Sequence, residues 1–222
     1  MKQLSLVAGL VTLLAGAPAA AHTINFDKVE VGYKRISIDT NFLDTHTGVN
    51  LAASKRFDNY YVEGRYYSVS DSESTSEQYG EEHFIKANYE LDISQFTLGA
   101  GYIHELDEVS LFDVSFHIGR MDLKNKLDAT ETYRTLAFQS NRSNSDDFTL
   151  YRLRAQYQTR VLEDIELRAG LGYEKADEGG SDGDPLFFVG AGYHFNDMFS
   201  VNAEYRDVDD YNTLDINFRY SF

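Results

Sequence analysis

The chain lacks cysteine and tryptophan and has only two prolines among its 222 residues. Without cysteine it can form neither disulfide bonds nor thiolate metal sites. Basic residues are also scarce: 20 Lys and Arg stand against 36 Asp and Glu, for a formal net charge of −16. Because phosphate binding requires clustered Lys and Arg, we expect no nucleic-acid partner.

Long hydrophobic runs are missing beyond the N-terminal segment, so no stretch there reaches the roughly 18 apolar residues of a membrane-spanning helix. The N-terminal segment has the three parts of a secretory signal: the positive Lys2, an apolar stretch over residues 4–15, and an A-x-A site at Ala19 and Ala21. We therefore expect residues 1–21 to be a cleaved signal peptide and residues 22–222 to form one domain.

Aromatic residues and glycine are plentiful, with 16 Tyr, 15 Phe and 16 Gly, and they recur at every second position. In the last segment the apolar series Leu214, Ile216, Phe218, Tyr220 and Phe222 alternates with Asp215, Asn217, Arg219 and Ser221. A helix would scatter both series around its circumference, so this period of two predicts a strand. Each such strand has one apolar and one polar face.

The polar faces carry charged residues and glycine, which favours a polar interior and an apolar surface in contact with lipid. A soluble barrel for a lipophilic ligand would instead line its cavity with the apolar face. Tight turns are predicted at residues 58–59, 162–164 and 196–198, and longer polar stretches at residues 39–47, 71–82, 122–147, 176–184 and 207–212. Short turns on one rim and long loops on the other predict a closed antiparallel up-and-down transmembrane β-barrel.

Ten strands are expected, an even number as single-chain bacterial barrels require. They lie near residues 27–38, 48–57, 60–70, 95–105, 109–121, 148–161, 165–175, 185–195, 198–207 and 213–222. Segments 83–91 and 130–138 alternate weakly, and either extend neighbouring strands above the membrane or pair as two further strands. Counting both gives twelve strands, and omitting the weak first pair gives eight.

The C-terminal residues Phe218 to Phe222, and the repeated pattern at 98–102, 169–173 and 189–193, resemble those of outer-membrane β-barrels. These are the OmpX-like proteins and the general outer membrane protein beta-barrel domain superfamily. The resemblance implies an outer-membrane protein of a Gram-negative bacterium, in contact with membrane lipid and lipopolysaccharide. It also implies that the barrel-assembly machinery reads Phe218, Tyr220 and Phe222 as an assembly signal. Activity is not implied, because this fold hosts adhesins, pores and enzymes.

Charged residues on the polar face form the candidate site. They are Glu63, Arg65, Arg152, Arg154, Arg160, Glu166, Arg168, Glu174, Glu204, Arg206, Asp215 and Arg219. Such residues either fill a small barrel with salt bridges and hydrogen bonds or line a narrow charge-selective pore. Turn register places Arg152 opposite Glu174 and Arg160 opposite Glu166. Inward glycines are expected to make room for large neighbours such as Phe188.

Metal binding and catalysis have weaker support. Three acidic groups could offer oxygen ligands to Ca²⁺: Asp71, Glu73, Glu77, Glu81 and Glu82; Asp177, Glu178, Asp182 and Asp184; and Asp207, Asp209 and Asp210. None has EF-hand spacing, so solvated loops without metal or cofactor are expected. The histidines, among them His104, His117 and His194, accompany no recognisable nucleophile–base pair, and no enzyme is predicted.

The sequence therefore predicts a monomeric barrel with a largely filled lumen and acidic outer loops. It would serve envelope structure or surface interaction, with a narrow passive channel as the alternative.

Overall fold

Ten antiparallel β-strands form one closed ring in up-and-down order. This computed structural model describes residues 24–38, 45–80, 82–134, 136–177 and 183–222. The strands are β1 (Lys28–Ile38), β2 (Thr45–Phe57), β3 (Tyr60–Gly80), β4 (His83–Glu105), β5 (Ser110–Tyr133), β6 (Leu136–Leu162), β7 (Ile165–Asp177), β8 (Asp184–His194), β9 (Phe199–Val208) and β10 (Tyr211–Ser221). No helix in these ranges is long and apolar enough to cross a membrane. The predicted signal peptide, with Ala19 and Ala21, lies outside them.

Closure joins the first strand to the last. β1 pairs with β10 from Lys28 opposite Ser221 to Ile38 opposite Tyr211. The ring of the barrel therefore has no unpaired strand edge. The predicted closed barrel of ten strands is confirmed, and the alternatives of eight and twelve are wrong. Segment 83–91 belongs to β4, and segment 130–138 is divided between β5 and β6.

Four neighbouring strands are much longer than the rest. β3 to β6 contain 21 to 27 residues, whereas the other six contain 10 to 13. Since about 10 residues suffice for a tilted strand to cross a bilayer, the surplus continues outside it. At about 3.3 Å per residue, about ten further residues project about 30 Å. We call residues 71–80, 83–91, 122–133 and 136–147 the projecting sheet. The predicted long loops at 71–82 and 122–147 are therefore paired hairpin arms.

The apolar residues of these long strands move from the outward face to the lumen-side face along the strand, as β5 shows. Val114 and Ile118 point outward from the barrel and are 41% and 47% exposed. Beyond Gly119 the apolar residues have odd numbers instead of even ones. Leu123 and Leu127 therefore lie on the face that continues the lumen side of the barrel. Lipid surrounds the barrel below this point and water surrounds the sheet above it, so the outward face becomes polar there. The change of parity between Ile118 and Arg120 marks the outer boundary of the membrane-spanning part.

Three shorter connections also differ from the predicted ones. Residues 207–212 form a two-residue turn at 209–210, the turn at 162–164 shortens to 163–164 with an irregularity between Arg160 and Leu162, and the turn at 196–198 lengthens to 195–198. The turn at Asp58 and Asn59 is as predicted. Asp58 has a φ of 53°, which the favoured types of two-residue hairpin turn have at their first central residue and which Asp tolerates well.

The lumen is polar along its middle and apolar at both ends. At the end where β1 begins and β10 ends, the terminal cluster consists of Ile24, Phe26, Tyr61, Ile103 and Leu111. At the opposite end, the outer clusters consist of Ile36, Tyr67, Val69 and Ile93, and of Leu186, Phe188 and Val208. The charged residues lie between these apolar layers.

Candidate functional site in the charged lumen

All twelve charged residues predicted to form the site lie on the lumen side of the barrel. Nine of them are buried, and Arg65, Arg160 and Arg168 are partly buried. Alternation places them there, because each strand turns its polar residues away from the lipid. Buried charges require direct partners, so their contacts decide what the lumen can do.

Glu166 is the centre of the contacts near the terminal cluster. Arg219 Nη1 lies 3.2 Å from both of its carboxylate oxygens, and Gln158 donates to it at 2.7 Å. His194 Nε2 lies 3.0 Å from the same carboxylate. Arg219 also donates through Nε to Glu30 at 2.6 Å. One arginine thus connects two carboxylates on opposite sides of the closure between β1 and β10.

Glu63 organises a second group. Arg65 Nε donates to it at 2.5 Å, and His117 Nε2 lies 3.1 Å from Oε1. The His117 ring lies against Gly99, its partner on β4, where a Cβ would collide with the ring. Glycine at this position makes room for the histidine that contacts Glu63.

Glu204 lies between two arginines. Arg168 Nε is 3.1 Å and Arg154 Nη2 3.6 Å from its carboxylate. The Arg154 guanidinium also stacks on the Phe188 ring, 4.0 Å from its centroid. Gly170 is the strand partner of Phe188, and a Cβ there would meet the ring, which agrees with the role expected for inward glycines.

Arg152 and Glu174 are strand partners and form a buried ion pair, in the register expected from the turn. Glu174 also accepts a hydrogen bond from the Tyr211 hydroxyl. Nearby, Lys34 donates to Asp215 at 2.7 Å. These contacts connect the polar middle of the lumen to the outer clusters.

The second expected pair is formed by strand pairing but not by a contact between the side chains. Arg160 and Glu166 are strand partners. However, Arg160 Nη2 lies 3.3 Å from His194 Nδ1, while Glu166 is held by Arg219 and Gln158. Arg219 approaches from the far side of the barrel, a contact that cross-strand register cannot predict.

The network also includes residues that were not predicted. Lys28, Glu30 and Lys34 of β1 are all buried in the lumen. The sequence signal was available, because they alternate with Val29, Val31 and Tyr33 in the same period of two. His117 and His194 likewise share the polar parity of their strands.

The acidic groups and histidines considered for metal binding and catalysis lie in several separate parts of the barrel. Within the described ranges, no three His, Asp or Glu side chains converge as metal ligands. Glu81, Glu178 and Asp182 lie outside those ranges. His104 faces outward and is exposed, whereas His117 and His194 contact carboxylates of the network.

The predicted assembly-signal residues lie at the closing strand. Phe218 and Tyr220 face outward and are 45% and 41% exposed. Both pack on Phe199, with ring centroids 5.6 and 5.4 Å apart. The amide of Phe222 donates to the carbonyl of Asp27 at 3.0 Å. That the barrel-assembly machinery recognises Phe218, Tyr220 and Phe222 stays a prediction.

A closed ring of strands with an apolar exterior and a charged interior defines the transmembrane β-barrel class, since a β-sheet satisfies all its backbone hydrogen bonds within lipid only when it is closed. Residues 6–222 match the family described as the outer membrane protein beta-barrel domain. The chain therefore belongs to this family and is an outer-membrane protein.

Solved structures similar to the chain are also outer-membrane barrels. The translocator domain of the autotransporter NalP from Neisseria meningitidis is 11% identical, with a TM-score of 0.48, over 88% of this chain and 87% of that one. The NanC porin is 8% identical, with a TM-score of 0.48, over 87% and 100%. Ail, the attachment invasion locus protein of Yersinia pestis, is 16% identical, with a TM-score of 0.39, over 87% and 97%. A search of curated protein sequences found no significant match.

Proposed function

We propose that this protein is a surface-binding barrel. The projecting sheet receives an extended segment of a partner protein at a free strand edge, and the filled lumen holds the sheet rigidly above the membrane. This is a binding role without a catalytic step. The main observation in support of this role is that strands β3 to β6 continue beyond the ten-stranded ring.

Strand edges support the proposal. β2 accompanies β3 only as far as Thr47 opposite Ser70, and β7 accompanies β6 only from Asp177 opposite Thr149. Among the described residues, 71–80 and 136–148 therefore pair on one side only. Their outer N–H and C=O groups are oriented as an extended peptide requires for addition as a further strand.

The two faces of the projecting sheet differ in chemistry. The outward face is charged; Lys126 there donates to Glu90 at 3.2 Å, and this hydrogen bond raises the pKa of Lys126. The lumen-side face carries apolar residues, including Leu127. An added strand would place alternate side chains on each face, so a segment with alternating apolar and polar residues fits both.

The tip of the projecting sheet adds exposed aromatic surface. The ring of His83 lies 5.6 Å from that of Tyr79 and 5.8 Å from that of Tyr133. Leu136 and Phe138 beside them are 60% and 61% exposed. Exposed aromatic clusters of this kind favour contact with a partner over contact with water.

The filled lumen favours binding over transport. The terminal cluster and the outer clusters lie at opposite ends of the polar region, so a solute path would have to pass both. Two cavities of about 40 and 20 Å³ lie between them. Each holds only a few water-sized molecules. A narrow passive channel therefore has less support, and a purely structural envelope role leaves the projecting sheet unexplained.

The experiment uses a trimmed barrel as its control. Asp71 and Leu91 are partners, as are Asp122 and Asp147, so residues 72–90 and 123–146 can each be replaced by Asn-Gly without shifting the register. A displayed library of random peptides is selected on the purified wild-type protein and then tested on the trimmed barrel. We expect the enriched peptides to bind the wild type only and to slow amide exchange in 71–80 or 136–148. Equal binding to the trimmed barrel would contradict the proposal.

A further inference from the structure

The two free edges of the projecting sheet differ in charge. Residues 71–80 of β3 contain three carboxylates and no Lys, Arg or His, whereas residues 136–148 of β6 contain Arg142 beside two carboxylates. Both edges pair on one side only, so each offers the same kind of backbone groups to an added strand. The side chains of each edge therefore decide which segment it accepts.

The carboxylates of the β3 edge share one face. Alternation from the buried Tyr67 and Val69 places Asp71, Glu73 and Glu77 on the lumen-side face. The outward-facing positions 72, 74 and 76 are all serine. A strand added at this edge would therefore meet carboxylates on one face and small neutral side chains on the other.

The neighbouring strands do not neutralise this edge. Within the described residues, His83 and Lys126 form ion pairs with carboxylates of β4 and β5, and no Lys, Arg or His forms one with Glu73 or Glu77. The lysines of β4 and β5 in the projecting sheet all have even numbers and lie on the outward face. The negative charge on the lumen-side face of the β3 edge is therefore available to a cationic partner.

An exposed aromatic ring continues the same face. The Tyr79 hydroxyl donates to the Glu77 carboxylate, so the two side chains lie on one side of the strand. Tyr79 is 63% exposed. Aromatic rings attract Lys and Arg by cation–π interaction, and Arg134 already lies 5.6 Å from the centroid of the Tyr133 ring at the same tip. The carboxylates and the ring thus favour the same charge in a partner.

We propose that the β3 edge binds an extended cationic segment of a partner protein, with Lys or Arg at every second position. This inference rests on the surface-binding proposal and names the edge and the chemistry of its partner. The backbone of the segment pairs with residues 71–80, and its basic side chains face Glu73, Glu77 and the Tyr79 ring. Acidic segments are excluded from this edge, because like charges opposite each other are destabilising.

The first test compares synthetic peptides of about ten residues, the length of a strand, that alternate Lys, Gln or Glu with Thr. Thr favours strands in all of them, so only the charge at alternate positions differs. Each is added to the full-length wild-type barrel in detergent at low ionic strength. The Lys peptide should bind most tightly and should slow amide exchange in residues 71–80 but not in 136–148. Equal binding of the Lys and Gln peptides, or slower exchange in 136–148 alone, would overturn the inference.

Two double variants locate the charge that the Lys peptide requires. E73Q/E77Q should weaken its binding about tenfold, because two ion pairs are lost. D146N/D147N is the matched control, since it removes as many carboxylates from the other edge, and it should keep the wild-type affinity. All four side chains are exposed, so neither variant disturbs the packing of the barrel. An equal loss in both variants would show that binding follows net charge alone and would overturn the inference.

The displayed library distinguishes this inference from the surface-binding proposal. That proposal requires enriched peptides of any charge that bind the wild type and not the trimmed barrel. Enriched peptides that add at 136–148, or that lack Lys and Arg at alternate positions, would overturn the inference and leave the surface-binding proposal intact. Peptides that bind both barrels equally would contradict the surface-binding proposal itself and, with it, the inference.

Discussion

At the scale of single residues, the lumen is held together by carboxylates that each bind more than one donor. Glu166, Glu63, Glu204 and Glu174 all have this arrangement. Removing one member leaves the others buried and without compensation, which costs more than the pair itself contributes. Substitutions here should therefore be strongly non-additive.

The Arg152–Glu174 pair tests this coupling. Glu174→Gln leaves Arg152 buried without its counter-charge and should cost about 1–3 kcal/mol of unfolding free energy. Arg152→Gln combined with Glu174→Gln should cost less than the sum of the two single changes. Urea unfolding in lipid vesicles measures all three. Glu105→Gln is the control, since its partner Arg56 lies at the exposed rim, and it should cost less than about 1 kcal/mol. Strict additivity of the buried pair would contradict the network.

Gly99 tests the packing of glycine against large lumen residues. Gly99→Ala drives a methyl group into the His117 ring and should destabilise the barrel by about 1–3 kcal/mol. Adding His117→Ala should recover part of this loss. Gly64→Ala is the matched control, because the nearest atom to its Cβ is a Leu98 methyl at 3.4 Å. Equal costs at Gly99 and Gly64 would show that His117 does not occupy this position.

At the scale of the strands, sequence predicted the barrel well and the projecting sheet poorly. Inside the membrane the lipid fixes the apolar parity, so strand number, facing and the partnership of Arg152 with Glu174 follow from alternation. At Ile118 to Arg120 the parity reverses while the strand continues, so the break in alternation predicts a strand end where there is none. Contacts across the lumen, such as Arg219 with Glu166, depend on three-dimensional closure. The terminal cluster likewise depends on Ile24 and Phe26, which precede β1 and carry no strand pattern.

Two β-branched residues on β5 test the boundary. Val114 and Thr130 share the outward parity but lie on opposite sides of the reversal. Val114→Arg places a charge in lipid and should cost about 2–4 kcal/mol and reduce assembly. Thr130→Arg places it in water and should change stability by less than about 0.5 kcal/mol. Membrane fractionation and urea unfolding compare the two variants. Similar defects in both would place the boundary elsewhere.

At the scale of the whole molecule, the protein combines a filled barrel with a sheet that projects from one side of its outer rim. The lumen network and its apolar ends connect all parts of the ring, whereas the projecting sheet depends only on its own pairing and on the strands below it. Barrel and sheet should therefore be separable. We expect the trimmed barrel to remain folded, with the faster or slower migration of unheated sample in SDS gels that closed barrels show, and to lose peptide binding.

Planar-bilayer recording of the purified wild-type protein tests most directly the central claim that the barrel presents a surface and does not conduct. Insertion is verified by protease protection of the same preparation in vesicles. We expect no discrete current steps from the wild type or from the trimmed barrel, because apolar clusters bound the lumen at both ends. Discrete steps from the wild type whose size changes in Arg154→Gln, a mid-lumen substitution, would show that ions pass through the lumen and would contradict the account.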